Sequence, residues 1–129
     1  RNNRHCQPNK QGRQRRRTGK DDMRQLAPRE LADWLADSAR TSPGLLDVRE
    51  PWEYQHCRIE GSVLAPMNTV PGRLEEFDGD APMVVICHHG ARSFQVACFL
   101  EQNGFRQLYN LAGGVDAWAR TVDSAMPTY

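Results

Sequence analysis

The chain of 129 residues is long enough for one domain with a hydrophobic core, and its formal net charge of +1 hides an uneven distribution. Residues 1–20 contain eight of the 17 lysines and arginines and no acidic residue, so the rest of the chain holds all 16 acidic residues and carries a net charge of −7. This balance excludes a basic, nucleic-acid-binding domain, and no apolar run approaches the roughly 20 residues that span a bilayer.

The basic segment 1–22 has almost no apolar side chain to bury, which predicts disorder. Three origins are compatible with it: a leader or mis-assigned upstream stretch ahead of Met23, an arm that binds acidic partners, or a transit peptide, although it lacks an apolar face. We favour the first. The folded domain is then predicted over 23–129. It shows no secretory apolar region and an odd number of cysteines, which favours a cytoplasmic location.

Hydrophobic periodicity predicts alternating helices and strands along this domain. In chain order these are a helix over 27–37, a strand over 44–48, a short helix over 51–56, a strand over 62–67, a helix over 70–77, a strand over 83–87, a helix over 92–104, a strand over 107–111 and a helix over 113–119. Such alternation with short connections is typical of α/β proteins, in which parallel βα units place helices on both faces of the sheet.

The segment "MVVICHHGARS" (83–93) places a thiol where such a fold carries chemistry. Cys87 ends a strand that is too apolar for a sheet with one solvated face, and a helix follows. Ligands of parallel α/β sheets bind beyond the carboxyl ends of the strands. Backbone amides of a turn through Gly90, and the guanidinium of Arg92, would both stabilise a thiolate there. Ser93 is predicted either to cap the helix or to donate a hydrogen bond to the anion.

A structural role for Cys87 is the alternative, because cysteine is among the most buried residue types. That role suits Cys98, which lies within the apolar face of the predicted helix. It leaves the glycine, arginine and serine that follow Cys87 unexplained, so we favour a functional thiol at this position.

Three segments of the chain resemble rhodanese-family sulfurtransferases. "CHHGARS" (87–93) is similar to the family's active-site loop, Cys-x-x-Gly-x-Arg followed by Ser or Thr. "LLDVREPWEYQHCRIEGSVLAPMN" (45–68) is similar to its Asp-Val-Arg and His-Ile-x-Gly-Ala segments, and "LAGGVDAW" (111–118) to its Gly-Gly-x-x-Ala-Trp segment. Cys57 stands near the family's usual histidine and Ser62 in place of its alanine, and we interpret both as tolerated changes at structural positions.

The resemblance implies a rhodanese-like, five-stranded parallel sheet with helices on both faces. It implies that Cys87 takes a sulfane sulfur from thiosulfate or a similar donor and carries it as a persulfide. The acceptor would be cyanide or a thiol, including that of a thioredoxin-like or other sulfur-acceptor protein, and no cofactor is implied. Arg92 would bind the donor's anionic oxygens. The other loop residues would bind the substrate, with backbone amides on the outer sulfur: His88, His89, Gly90, Ala91 and Ser93.

Cysteine phosphatases and arsenate reductases are the nearest alternative. They share the order of strand, cysteine loop, arginine and helix, but they place five residues between cysteine and arginine, whereas four lie between Cys87 and Arg92. A shorter loop is expected to suit a single sulfur atom better than a tetrahedral phosphate. A docking module or persulfide carrier for a protein partner also remains open.

A metal ion is not expected in this chain. The site would have to combine neighbouring residues of extended segments, which rarely converge on one ion, and no C-x-x-C pair exists; the candidates are His56, Cys57, Cys87, His88 and His89.

Asp47 and Arg49 flank the end of a predicted strand. They are either a solvated surface pair of little energetic value or part of a structural network near the site. We favour the structural network.

Overall fold

The computed structural model describes residues 23–129, and the predicted basic tail, 1–22, lies outside that range. The strands are β1 (Arg24–Leu26), β2 (Gly44–Asp47), β3 (Val63–Leu64), β4 (Met83–Ile86) and β5 (Leu108–Leu111). The helices are α1 (Pro28–Ala36), α2 (Pro51–His56), α3 (Ala91–Gln102) and α4 (Gly114–Thr121), and a 3₁₀ stretch covers Met67–Glu76. All strand pairs are parallel, in the order β1-β5-β4-β2-β3. The predicted five-stranded parallel sheet is therefore confirmed.

Helices cover both faces of this sheet because successive side chains of each strand point to opposite faces. In β4, Val84 and Ile86 belong to the core cluster that contains Leu31 of α1 and Trp118 of α4. Met83 and Val85 belong to the other cluster, which contains buried residues of α3 and of the 3₁₀ stretch: Val96, Ala97, Leu100 and Val70. The predicted placement of helices on both faces is confirmed.

One strand was not predicted from the sequence. The segment Arg24–Leu26 has a single apolar residue, Leu26, and becomes a strand by pairing with β5, where Leu26 lies opposite Leu111. A strand of this kind depends on its neighbour rather than on its own apolar pattern.

Two elements differ from the prediction at prolines. The strand expected over 62–67 is reduced to Val63–Leu64, shortly before Pro66. The helix expected over 70–77 is part of a 3₁₀ stretch that contains Pro71. Proline lacks an N–H group and therefore cannot donate a hydrogen bond to a ladder or to an α-helical turn.

The topology brings the carboxyl ends of β5, β4 and β2 together at one edge of the sheet. Strand β4 lies between β5 and β2, and Cys87 follows its last residue directly. Asp47, the last residue of β2, lies opposite Ile86. The edge formed by the carboxyl ends therefore carries Cys87 at its centre, as expected for a parallel α/β sheet. No helix within the described range is both long and apolar enough to cross a membrane.

Candidate active site

The sulfur of Cys87 lies inside the turn that joins β4 to α3. Its Sγ accepts a hydrogen bond from the amide of Gly90 at 3.1 Å and lies 3.3 Å from Oγ of Ser93. Cys87 is a free cysteine and is 1% exposed, with its neighbours on the face covered by α3. Gly90 makes this turn possible, since its φ of +103° lies in the left-handed region that favours glycine. The N-cap of α3 is Gly90, and the Ser93 hydroxyl contacts Cys87 and Asn110, so the helix-capping alternative for Ser93 is wrong.

The carbonyl groups of this turn are held by the beginning of α4. The amides of Val115 and Asp116 donate to the carbonyl oxygens of Cys87 and His88 at 2.9 and 3.0 Å. The peptide bonds are trans, so each N–H points away from the carbonyl that precedes it. The N–H groups of His88 and His89 therefore point away from α4. The term amide nest is used here for these two N–H groups together with that of Gly90, which donates to Sγ of Cys87; successive loop amides of this kind can bind anions.

A glycine allows α4 to approach the turn this closely. A Cβ atom at Gly114 would lie 2.3 Å from the carbonyl oxygen of His88 and 2.4 Å from that of Cys87. The φ angles of Gly113 and Gly114 are +77° and +62°. Both glycines therefore adopt a left-handed backbone, and the second also leaves room for the backbone of the loop after Cys87.

Arg92 binds a carboxylate that was not singled out in the sequence. Its Nη1 and Nη2 atoms donate to Oε1 and Oε2 of Glu53 at 2.8 and 2.9 Å. The side chain of Glu53 is 4% exposed, whereas that of Arg92 is 36% exposed. The hydrogen bonds from Arg92 lower the pKa of Glu53 from 4.5 to about 2, so the carboxylate is ionised at neutral pH. An anion bound by Arg92 would therefore compete with Glu53 for the guanidinium.

Asp47 and Arg49 form a fully buried ion pair, which excludes the solvated surface pair considered above. Arg49 donates to the carboxylate of Asp47 through Nε at 2.9 Å and through Nη2 at 2.7 Å. Nη2 also donates to the carbonyl oxygen of Cys57 at 2.6 Å, and the backbone amide of Arg49 donates to Asp47. The pair therefore ties the end of β2 to the end of α2.

Tyr129 connects the two ion pairs. Its hydroxyl accepts a hydrogen bond from Nη1 of Arg49 at 2.9 Å and donates one to Oε2 of Glu53 at 2.8 Å. Burial raises the pKa of Tyr129 to about 12, which keeps the hydroxyl protonated for this donation. The ring stacks on His88 with centroids 3.9 Å apart and contacts the exposed Trp52 edge-on. Tyr129 therefore covers the loop on the side of His88.

His88 and His89 form a stacked pair with ring centroids 4.0 Å apart. Burial lowers the pKa of His88, so this ring stays neutral near pH 7. Within the described range, one atom each of His88, His89 and Asp116 lies within 4.8 Å of the others. Imidazole lone pairs lie in the ring planes, which stacking holds nearly parallel, and Arg120 donates to the Asp116 carboxylate at 2.9 Å. This geometry does not favour a shared metal ion.

The fold and the loop match those of a known protein family. A family model described as "Rhodanese-like domain" matches residues 27–121 of this chain. The chain belongs to the rhodanese-like domain family.

Curated and solved relatives agree with this membership. The rhodanese-like chain is 38% identical over 90 residues to a sulfurtransferase of Allochromatium vinosum, covering 70% of this chain and 82% of that protein. It is 32% identical to the thiosulfate sulfurtransferase GlpE of Pseudomonas paraeruginosa, covering 76% and 86%. A rhodanese-like domain protein from Staphylococcus aureus superposes with a TM-score of 0.71 at 30% identity, covering 83% and 99%. In the longer protein MoeZ of Mycobacterium tuberculosis the match covers 26% of the length.

The rhodanese-like fold brings most of the predicted residues to one place. Gly90 and Ser93 contact the sulfur of Cys87, and His88 lies in the same turn. His89 and Ala91, together with Gly90, line a cavity of about 330 Å³ beside the loop, and Cys87 is not among the lining residues of this cavity.

Three residues of this site were missed in the sequence. There was no reason in the sequence to single out Glu53, because a glutamate in the first turn of a helix is common. Asn110 could have been singled out, because a side-chain amide inside the apolar strand 107–111 needs buried hydrogen-bond partners. Nothing in the sequence indicated that Tyr129 would return to the loop.

Proposed function

We propose that this rhodanese-like domain is a sulfurtransferase that moves a sulfane sulfur from thiosulfate or a similar donor to cyanide or a thiol acceptor. A persulfide on Cys87 would carry the sulfur. The observation that supports this most is the free thiol at the centre of the carboxyl edge, whose Sγ accepts the Gly90 amide within the amide nest. The relatives named as sulfurtransferases support the same reaction class.

The reaction consists of two sulfur transfers and needs no external oxidant. The thiolate of Cys87 attacks the outer sulfur of thiosulfate, the sulfur–sulfur bond of the donor breaks, and sulfite leaves with the electron pair. The amide nest binds the anionic outer sulfur of the resulting persulfide. Cyanide or an acceptor thiolate then attacks that outer sulfur, and the Cys87 thiolate leaves. The acceptor departs as thiocyanate or as a new persulfide.

A phosphatase or arsenate reductase reaction is less well supported by this site. Phosphate binding requires a ring of amides wide enough for a tetrahedral anion with several bound oxygens. Here only four residues lie between Cys87 and Arg92, one fewer than in those enzymes. A protein thiol acceptor, in contrast, is a variant of the proposed reaction and is included in it.

The direct test is intact mass spectrometry of the purified chain before and after treatment with thiosulfate. We expect a gain of one sulfur that maps to the peptide containing Cys87 and that cyanide removes. Sulfur addition at another cysteine, or none at all, would contradict the proposal. A phosphatase would instead hydrolyse a phosphate monoester and gain no sulfur.

Arg92 and Glu53 should affect thiosulfate binding in opposite directions. Arg92→Ala removes a charge-assisted contact on the order of 1.5–3 kcal/mol, so we expect kcat/KM for thiosulfate to fall by roughly 10- to 100-fold. Glu53→Gln removes the carboxylate that competes for the guanidinium, so we expect the KM for thiosulfate to fall. The measurement is steady-state thiocyanate formation over a range of thiosulfate concentrations. A rise of KM in both variants would show that the pair acts only through the fold.

A further inference from the structure

Asn110 of β5 reaches the active-site loop from a neighbouring strand. It is 2% exposed and its side chain makes three hydrogen bonds. Nδ2 lies 3.0 Å from Oε1 of Gln25 and 3.2 Å from the carbonyl oxygen of Gly90. Oδ1 lies 2.5 Å from Oγ of Ser93, which is completely buried and is the hydroxyl next to Sγ of Cys87. Asn110 and Ser93 therefore form a chain that ends at the reactive sulfur.

The orientation of the Asn110 amide follows from its partners. A backbone carbonyl can only accept a hydrogen bond, so the atom that faces the carbonyl of Gly90 must be the NH₂ group. The amide oxygen then faces Ser93. This assignment holds whichever way the amide of Gln25 is turned, because it rests on the Gly90 carbonyl alone.

The position of the Ser93 proton follows in turn. The short contact between two oxygens needs a proton between them, and the amide oxygen of Asn110 has none, so the Ser93 hydroxyl donates its single proton to Asn110. The side of Oγ that faces Sγ of Cys87 at 3.3 Å therefore carries lone pairs. A neutral thiol can donate its own proton to these lone pairs, whereas a thiolate cannot.

We propose that Asn110 is a positioning residue: it orients the Ser93 hydroxyl so that its oxygen, not its proton, faces Cys87, and so favours states in which Sγ carries no charge. These states are the thiol and, resting on the proposed function, the inner sulfur of the persulfide, whose charge lies on the outer sulfur. For Ser93 to donate to a thiolate instead, it would have to leave the oxygen of Asn110 buried without a partner, which is costly. Stabilisation of the thiolate is thus left to the amide nest and to Arg92.

The substitutions that test this proposal, at Ser93 and at Asn110, leave the charged groups around Cys87 unchanged. Arg92 is paired with Glu53, and Asp47 is paired with Arg49. The other titratable groups packed around the loop belong to the loop itself, to α4 and to the segment after α4: His88, His89, Asp116 and Tyr129. Substitutions of Ser93 and Asn110 change none of these charges, so a shift in the reactivity of Cys87 reports on the hydrogen-bond chain.

The test is the rate of Cys87 alkylation by iodoacetamide as a function of pH, followed by peptide mapping. In Ser93→Ala the thiol loses its acceptor and the thiolate loses a repulsive lone pair, so we expect the profile to move to lower pH by about 0.5–1 unit. If Ser93 normally donated to the thiolate, the profile would move to higher pH. A shift to higher pH, or none, overturns the proposal.

The contribution of Asn110 is isolated by a double-mutant cycle. Asn110→Ala frees the Ser93 hydroxyl to turn its proton towards the thiolate, so we expect a shift to lower pH in the otherwise unchanged chain. In the Ser93→Ala background we expect the same substitution to shift nothing further. A shift that persists without Ser93 would show that Asn110 acts only on the loop backbone, which contradicts the proposal.

Two features of this design keep its outcome interpretable. Ser93→Ala removes one heavy atom and can overturn the proposal even if Asn110→Ala fails to fold. Alkylation requires no sulfur transfer, so the result stands apart from the proposed function, which the thiosulfate experiment tests separately.

Discussion

Replacing Cys87 by serine is expected to abolish sulfur transfer from thiosulfate to cyanide while leaving the domain folded. A serine hydroxyl is not ionised near neutral pH and forms no persulfide, so we expect thiocyanate formation to fall on the order of 10³-fold or more. The fold should persist because oxygen can accept the hydrogen bond that the Gly90 amide now donates to sulfur. The measurements are thiocyanate production and a thermal unfolding curve.

The matched control for this prediction is Cys57→Ser. Cys57 is also a free, buried cysteine, but it follows α2 and lies outside the turn that contains the amide nest. We expect Cys57→Ser to retain sulfur transfer. Treatment with thiosulfate should still add one sulfur to this variant, as to the unchanged chain. Substantial turnover in Cys87→Ser, or its loss in Cys57→Ser alone, would place the nucleophile elsewhere.

Gly114→Ala is expected to damage both stability and activity. The new Cβ would lie 2.3 Å from the carbonyl oxygen of His88, and the residue would keep a φ of +62°, which is unfavourable for alanine. Either α4 or the loop must move, and the hydrogen bonds from Val115 and Asp116 that orient the amide nest would be broken. We expect the free energy of unfolding to fall by about 3 kcal/mol or more and sulfur transfer to fall with it.

Gly61→Ala is a control that separates the steric clash of the new Cβ from the cost of a positive φ. Gly61 has a φ of +90°, but a Cβ atom there would have no neighbour within 4 Å. This control carries the backbone cost alone, on the order of 1–2 kcal/mol, and should leave activity intact. The measurement is chemical denaturation of both variants. Equal losses would mean that the close approach of α4 to the loop has no energetic consequence.

The turn around Cys87 could be predicted from the sequence because its parts are neighbours in the chain. Cys87, Gly90 and Arg92 lie within six positions, so the turn between a strand and a helix brings them together without help from distant segments. The partner of Arg92, in contrast, lies 39 positions away in α2, and that of Ser93 lies 17 positions away in β5.

The burial of Asp47 and Arg49 could not be predicted from the sequence either. Two residues of opposite charge, two positions apart at a strand end, are compatible with a solvated pair or a buried one. Their burial results from the segments packed over them, including Cys57 and Tyr129, whose carbonyl and hydroxyl oxygens accept hydrogen bonds from Arg49. Because Tyr129 lies 80 positions from Arg49 in the chain, local pattern alone does not distinguish the two arrangements.

By itself, the sequence determined the alternation of strands and helices, the α/β class and the thiol at the end of the central strand. These follow from apolar periodicity and from residues close along the chain. Only the tertiary structure decided that Glu53 pairs with Arg92, that Asn110 contacts Ser93 and that amides of α4 bind the loop carbonyls. The physical reason is that each of these contacts joins separate elements, whose relative positions are set by the order of strands in the sheet and by helix packing against it.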